Sequence, residues 1–157
     1  MTIPKFIHQT ISNKNDLDPV FVENISRLRA LNSGWDYHLY DEEDRRDFIS
    51  DHYGRDILET YLKISPSYGP AKADFFRYLL SYKKGGVYLD FKSTVTTKLD
   101  DVLRPDDTYL LSQWHNKKGE PYEGGDRTRS FPAAANIRSG ISWRSRDILF
   151  LRRSLRG

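Results

Sequence analysis

The 157-residue sequence contains no cysteine. Disulfide bonds and thiolate metal sites are therefore excluded, and the fold has to be held by a hydrophobic core. A chain of this length is sized for one domain, which buries roughly 70% of the surface that the unfolded chain exposes. Such a core is feasible without covalent or metal crosslinks.

Long apolar runs are also missing. No segment approaches the roughly 18 apolar residues of a membrane-spanning helix. The first ten residues, MTIPKFIHQT, lack the extended apolar stretch of a secretory signal peptide. We therefore expect a cytoplasmic protein, either free in solution or bound peripherally to the inner face of the membrane.

Positive charge is concentrated at the end of the chain. The formal net charge is +3, and residues 117–157 hold ten Lys and Arg against four Asp and Glu. A basic terminus can bind nucleic acid or an anionic membrane. Because this one lacks the interleaved aromatic side chains of a stacking platform, we do not expect nucleic-acid binding.

Patterns of strand and helix alternate along the chain. Strands are predicted at residues 5–9 and 87–89, with further candidates at 94–96 and 109–114. Another strand is predicted where Trp35, Tyr37 and Leu39 alternate and face inward. Helices are predicted after Pro19, with Val22, Ile25, Leu28 and Leu31 on one face, and at 42–52, 55–64 and 71–83. This alternation predicts an α/β fold with a mostly parallel sheet.

Polar residues follow the ends of three predicted strands. Thr10, Asp41 and Asp90 each come directly after such a strand. Because ligands of open α/β sheets bind at the carboxyl ends of the strands, we expect these residues along one binding rim.

A second set of polar residues lies on the helix that precedes Asp90. Asp74 and Arg77 are three residues apart and share a helix face. On many helices such a pair is only a surface ion pair, but here Gly85-Gly86 ends the helix and folds Asp90 back towards it. A guanidinium binds phosphate through paired hydrogen bonds, and carboxylates suit sugar hydroxyls or a divalent cation. The set therefore suits a sugar nucleotide.

The chain resembles the glycosyltransferases of the sugar-binding, Asp-X-Asp type in three segments: IPKFIHQT, NSGWDYHLYDEED and YGPAKADFFRYLLSYKKGGVYLD. Yeast initiating α-1,6-mannosyltransferases and bacterial capsular or lipopolysaccharide transferases belong to this family, and the large clostridial glucosylating toxins share its core pattern. The resemblance covers residues 3–100. It implies a GT-A fold, a nucleotide-sugar donor and transfer with retention at the anomeric carbon.

The resemblance also implies which residues contact the donor. On the helix they are Asp74 and Arg77, which would reach the donor sugar and the diphosphate. The other positions, at strand ends, are Gln9, Thr10, Tyr88 and Asp90.

Two positions depart from the family pattern. Ile11 stands where many relatives have a tryptophan that can pack on the base, and Lys92 replaces the second aspartate of the motif, giving Asp90-Phe91-Lys92. In GT-A enzymes that aspartate is the more direct ligand of the Mn²⁺ or Mg²⁺ ion that screens the diphosphate. Either the Lys92 ammonium takes over part of the role of the metal, or Asp90 binds a metal with ligands elsewhere, or Lys92 points outward and does neither.

We divide the chain into a GT-A donor-binding domain, residues 1–126, and an Arg-rich tail, residues 127–157. The tail holds eight arginines and no lysine, and it lacks a clean helical stripe. One choice of codons for the segment WRSRDILF, shifted by two bases, encodes a stretch similar to a segment found further along in the family. We therefore expect the tail to be out-of-frame or truncated sequence.

The leading functional hypothesis is a retaining glycosyltransferase that moves a sugar to a polysaccharide, a glycolipid or a related acceptor. The alternative is a non-catalytic remnant that binds a sugar nucleotide weakly or not at all, because Lys92 replaces a motif aspartate. Trp114 and His115 are candidates for acceptor contacts. We expect His8 and Trp35 in the core.

Overall fold

The computed structural model describes residues 3–93, 95–105 and 107 in full, and residues 110–112, 136–138 and 150–152 through their backbone. The strands are β1 (Phe6–Thr10), β2 (Asp36–Tyr40), β3 (Gly86–Tyr88), β4 (Leu110–Ser112), β5 (Asn136–Arg138) and β6 (Phe150–Arg152). The helices are α1 (Pro19–Leu31), α2 (Glu42–Tyr53), α3 (Arg55–Lys63), α4 (Gly69–Lys84) and α5 (Leu99–Val102), with a 3₁₀ turn at Pro66–Tyr68 before α4.

The larger sheet has the strand order β2-β1-β3-β6. β1 runs parallel to β2 and to β3, whereas β6 runs antiparallel to β3. β4 and β5 form a separate parallel pair. The three parallel strands therefore end at one edge of the sheet, at Thr10, Tyr40 and Tyr88, and this edge is termed the carboxyl edge below.

Both faces of the sheet are covered by packed side chains. Successive side chains of β3 point to opposite faces, so Val87 and Tyr88 belong to different cores. On the face of α1 the buried core consists of Ile3, Ile7, Leu28, Trp35, Val87, Leu89, Val95 and Leu99. On the face of α2, α3 and α4 it consists of Phe48, Ile49, Tyr61, Phe76, Leu80 and Tyr88. The predicted α/β arrangement with a mostly parallel sheet is confirmed.

Two glycines connect α4 to β3. Gly85 has a φ of 67°, and its N–H donates to the Ser81 carbonyl over 3.1 Å at the end of the helix. Gly86 has a φ of 91°, and a Cβ there would lie 2.7 Å from the carbonyl oxygen of Phe6 and 3.1 Å from Nε2 of His8. The predicted stop at the glycine pair is confirmed, and only glycine fits the second position without displacing β1.

At the carboxyl edge, β2 passes directly into α2. The carboxylate of Asp41 accepts a hydrogen bond from the Asp44 N–H over 3.1 Å, and the carboxylate of Asp44 accepts one from the Asp41 N–H over 2.7 Å. This reciprocal cap satisfies two N–H groups at the start of the helix. Asp41 thus follows the end of its strand as predicted, but its carboxylate serves the cap.

Several details differ from the predicted pattern. Val22 is exposed, although it was predicted on the same face of α1 as Leu28. The fully buried residue of this helix is Leu28, which lies in its C-terminal half. Trp35 is buried as expected, although β2 begins one residue later. Val95 and Thr96 belong to no strand, and Val95 is instead buried in the core cluster that includes Leu28 of α1. β4 lies within the candidate strand 109–114.

The division of the chain into residues 1–126 and 127–157 stays a prediction. β5 and β6 both fall within the second part. The backbone of β6 pairs with β3 in the larger sheet.

Gly86→Ala should lower the free energy of unfolding by about 2–4 kcal/mol. The alanine would have to adopt a left-handed φ, and its methyl group would meet the backbone of β1. Gly54→Ala is the matched control, since Gly54 has a φ of 76° but nothing within 4 Å of the added carbon. We expect the control to cost only about 1–2 kcal/mol. Urea unfolding of the two variants measures the difference, and equal losses would contradict the close approach of Gly86 to β1.

Candidate functional site

Arg77 is held between two carboxylates at the carboxyl edge. Its Nη2 is 2.7 Å from Oδ1 of Asp74, one turn earlier on α4, and its Nη1 is 3.8 Å from Oδ1 of Asp90. The first distance is that of a hydrogen bond, and the second is too long for one. The side chain of Arg77 is 9% exposed, whereas those of Asp74 and Asp90 are 53% and 39% exposed. The predicted convergence of these three residues is confirmed.

The end of β1 contacts the same region. Nε2 of Gln9 donates to the Asp90 carbonyl oxygen over 3.1 Å, and Oε1 of Gln9 accepts from the Tyr37 hydroxyl over 2.8 Å. The hydroxyls of Thr10 and Tyr88 lie 2.7 Å apart in a buried hydrogen bond. Gln9, Thr10 and Tyr88 are therefore packed behind Asp90, while their contact with a nucleotide stays a prediction.

Residues 90–93 form a turn and are termed the motif turn. The Ser93 N–H donates to the Asp90 carbonyl oxygen over 2.8 Å and closes it. β3 ends at Tyr88, so the alternation of a strand does not determine the direction of Lys92. Lys92 is exposed on this turn.

The electrostatic environment of Asp90 is unfavourable to its charge. Burial raises the pKa of Asp90, the Arg77 guanidinium opposes that rise, and the charge of Asp74 adds to it. Burial likewise raises the pKa of Tyr88 to about 12, although its hydrogen bond to Thr10 opposes the rise. A ligand group or cation that paired with Asp90 would relieve the cost of its ionised form.

A partly buried polar network joins the first turns of α2 and α4. Glu42 Oε1 accepts from Lys72 Nζ over 2.7 Å, and Glu42 Oε2 accepts from Arg45 Nη2 over 2.8 Å and from the Tyr61 hydroxyl over 2.9 Å. The Lys72 ammonium also lies 4.9 Å from the centre of the Tyr61 ring. Burial alone would raise the pKa of Glu42, but the hydrogen bonds from Lys72, Arg45 and Tyr61 lower it.

This network was not predicted from the sequence, although one signal points to it. Lys72 lies four and eight residues before Phe76 and Leu80, so it falls on the buried stripe of α4. A buried lysine requires a carboxylate partner. That partner, Glu42, is 30 residues away and belongs to another helix.

The prediction that His8 is a hydrogen-bonding core residue is confirmed. Its Nε2 lies 3.1 Å from the Gly85 carbonyl oxygen and therefore carries the proton, and its Nδ1 lies 3.3 Å from the Tyr40 hydroxyl. Burial lowers the pKa of His8 to about 4, so the ring is neutral near pH 7. Trp114 and His115 lie outside the described residues.

A family profile described as a glycosyltransferase sugar-binding region containing the DXD motif matches residues 18–110. The chain belongs to this glycosyltransferase family. The matched region holds Asp74, Arg77 and Asp90 as well as the network of Glu42.

Curated relatives are similar to this chain over about a hundred residues. The inositol phosphoceramide mannosyltransferase 3 of Schizosaccharomyces pombe is 35% identical over 101 residues, which cover 64% of this chain and 27% of the relative. The mannosyl phosphorylinositol ceramide synthase CSH1 of Saccharomyces cerevisiae is 31% identical over 102 residues, covering 65% and 26%. The chain spans about a quarter of the length of these relatives.

Among solved structures, the chain is similar to the PaToxG glycosyltransferase, with a TM-score of 0.56. The likeness covers 71% of this chain and 50% of the other, at 13% sequence identity. It confirms the predicted GT-A-like α/β fold. None of the helices in the described part of the chain is both long and apolar enough to cross a membrane.

Glu42→Leu should lower the free energy of unfolding by about 3 kcal/mol, because two cations and a tyrosine hydroxyl lose their shared acceptor. Glu59→Leu is the matched control: Glu59 pairs with Arg55 over the same 2.8 Å, but their side chains are 52% and 88% exposed. We expect the control to change stability by less than about 1 kcal/mol. Chemical denaturation measures both, and similar losses would contradict the role of Glu42 as the partner of two buried cations.

Proposed function

We propose that this chain is the donor-binding part of a glycosyltransferase that transfers a mannosyl residue from a nucleotide sugar to a glycolipid acceptor. In this transfer the bond between C1 of the sugar and the diphosphate oxygen breaks, and a bond from C1 to an acceptor hydroxyl oxygen forms. The hydroxyl proton and the nucleoside diphosphate are released. Retention of configuration at C1, which the family resemblance implies, is part of the proposal.

The observation that carries the proposal is the buried Arg77 between Asp74 and Asp90 at the carboxyl edge. A guanidinium can pair with the oxygens of a diphosphate. The two carboxylates, which are about half exposed, can accept hydrogen bonds from sugar hydroxyls. Ligands of α/β sheets bind at this edge, which supports a sugar nucleotide as the ligand.

The relatives support the choice of sugar and acceptor. Their names specify mannosyl transfer and a phosphoinositol ceramide. Mannose and a glycolipid are therefore the first donor sugar and acceptor class to test. The polysaccharide acceptors suggested by the bacterial members of the family stay a prediction.

A divalent metal, common in DXD-type glycosyltransferases, does not fit the described residues well. Among the residues that the structure describes, no three His, Cys, Asp or Glu side chains form a group that could hold a metal ion. The Arg77 guanidinium lies 3.8 Å from the Asp90 carboxylate. We therefore derive no step through a metal and assign the countercharge for the diphosphate to Arg77 and Lys92.

The second candidate function is a non-catalytic sugar-nucleotide binder. The presence of Lys92 at the second motif position favours it. Such a protein would bind the donor without releasing a nucleoside diphosphate.

A thermal-shift screen of GDP-mannose, UDP-glucose, GDP, UDP and ADP tests the proposal on the whole chain. A ligand at 100 times its Kd should stabilise the fold by about 2.7 kcal/mol. Release of the nucleoside diphosphate from a stabilising donor supports an enzyme, and stabilisation without release supports the non-catalytic binder. A chain stabilised by none of these compounds would refute both.

Asp90→Asn should abolish donor turnover while preserving the fold, because the change is nearly isosteric. The folded-state pKa of Asp90 is raised above its unfolded value, so its ionisation lowers stability as pH rises through the folded pKa. The stability of Asp90→Asn relative to wild type should therefore increase as the pH rises from about 4, the unfolded value of an aspartate, through the raised folded-state pKa. Thermal unfolding across this range, with the exposed Asp47→Asn as control, measures the trend. Normal turnover, or a relative stability that falls with pH, would contradict the assignment.

Lys92→Ala should weaken binding of the nucleoside diphosphate by about 1–3 kcal/mol if the ammonium supplies countercharge. Wild-type binding should then be nearly the same in EDTA and in Mn²⁺, and Lys92→Asp should make binding depend on Mn²⁺. Calorimetric titration of the three proteins, with and without chelator, checks these outcomes. Metal-dependent binding by wild type together with an unaffected Lys92→Ala variant would contradict the role of Lys92.

A further inference from the structure

We infer that Phe21 and Asn24 of α1 are positioning residues that hold the motif turn, and with it Asp90 and Lys92, in the arrangement that binds the donor diphosphate. The inference rests on the proposed function, because it assigns these two residues a part in donor binding. The sequence patterns of α1 indicated only an apolar face that packs on the core.

The motif turn lies beyond the last residue of β3, so its central residues, Phe91 and Lys92, belong to no strand. On the side of the sheet, the Asp90 carbonyl oxygen accepts from Gln9 Nε2 over 3.1 Å and from the Ser93 N–H over 2.8 Å. These two bonds hold the first residue of the turn and close it. They do not contact Phe91 or the Ser93 carbonyl.

α1 supplies those remaining contacts. The ring of Phe21 packs on the ring of Phe91, with centroids 4.6 Å apart and planes inclined by 51°. Nδ2 of Asn24 donates to the Ser93 carbonyl oxygen over 2.9 Å. Phe21 and Asn24 are three residues apart, so one face of α1 meets the turn on both sides of Lys92.

The other end of α1 is firmly anchored in the core. Leu28 is fully buried, and the Oδ1 of Asn32 accepts from the Leu99 N–H over 2.8 Å. The N-terminal half is more exposed, with Val20 and Val22 at 69% and 47%. α1 therefore links the core to the motif turn through Phe21 and Asn24.

Holding the residues on both sides of Lys92 restricts the backbone that carries its ammonium. A preordered turn loses less conformational entropy when an anion binds than a loose one. Removing either α1 contact should therefore weaken diphosphate binding without removing any group that touches the ligand. The effect should disappear once the Lys92 ammonium is no longer there to be positioned.

The test uses Phe21→Ala and Asn24→Ala in the whole chain, with Val22→Ala as the control on the exposed side of the same helix. The probe is whichever of UDP, GDP and ADP binds wild type most tightly by calorimetry. Each variant should lose roughly 3- to 10-fold in affinity, and the control should lose none. In a Lys92→Ala background the same substitutions should change affinity by less than about twofold. Equal losses in both backgrounds would overturn the inference.

Hydrogen exchange gives a readout that does not need the ligand. The Ser93 amide, which closes the turn, should exchange roughly 3- to 10-fold faster in Phe21→Ala and Asn24→Ala, while amides of β1 exchange as in wild type. Unchanged exchange at Ser93 with intact wild-type binding would overturn the inference alone. A wild-type chain that binds none of the three diphosphates would refute the proposed function and, with it, the role of these residues in binding.

Discussion

The backbone of Gly86 lies so close to Phe6 and His8 that a side chain cannot be placed between β3 and β1. This contact, together with the left-handed φ of Gly85, turns the chain sharply at the end of α4. α4 must then pack back along β3, with Phe76 and Leu80 against Tyr88. Because Arg77 is on that stretch of α4, the same turn brings its guanidinium to Asp90 just beyond β3. The glycine contact is therefore the constraint on which the candidate site depends.

The charges at the carboxyl edge are arranged with cations beneath and acids nearer the solvent. Arg45, Lys72 and Arg77 are each less than 10% exposed, and their partners Glu42, Asp74 and Asp90 are all more accessible. The three cations are matched by three carboxylates, so the group as a whole is close to neutral. Lys92 is exposed on the motif turn and, under the proposed function, would add a positive charge for an anionic donor.

Local sequence signals were sufficient for several contacts between residues that are close in the chain. The spacing of Asp74 and Arg77 predicted their ion pair, and the glycine pair predicted the return of Asp90. Contacts between distant segments could not be read in this way. Glu42 and Lys72 meet although 30 residues separate them, and Asn24 reaches Ser93 across 69 residues. The packing of α2 on α4 and of α1 on the motif turn cannot be predicted from local sequence patterns, because it depends on the order of the strands in the whole sheet.

By itself, the sequence determined the α/β class, the limits of most helices, the family resemblance and the convergence of Asp74, Arg77 and Asp90. These features follow from hydrophobic periodicity, glycine conformations and spacing along one helix, all of which act over a few residues. Only the tertiary structure decided that Gln9 binds the backbone of Asp90 and that Lys72 is paired in the interior. Each of these polar groups had to find a partner once folding removed it from water, and which partner lies within reach depends on how strands and helices pack.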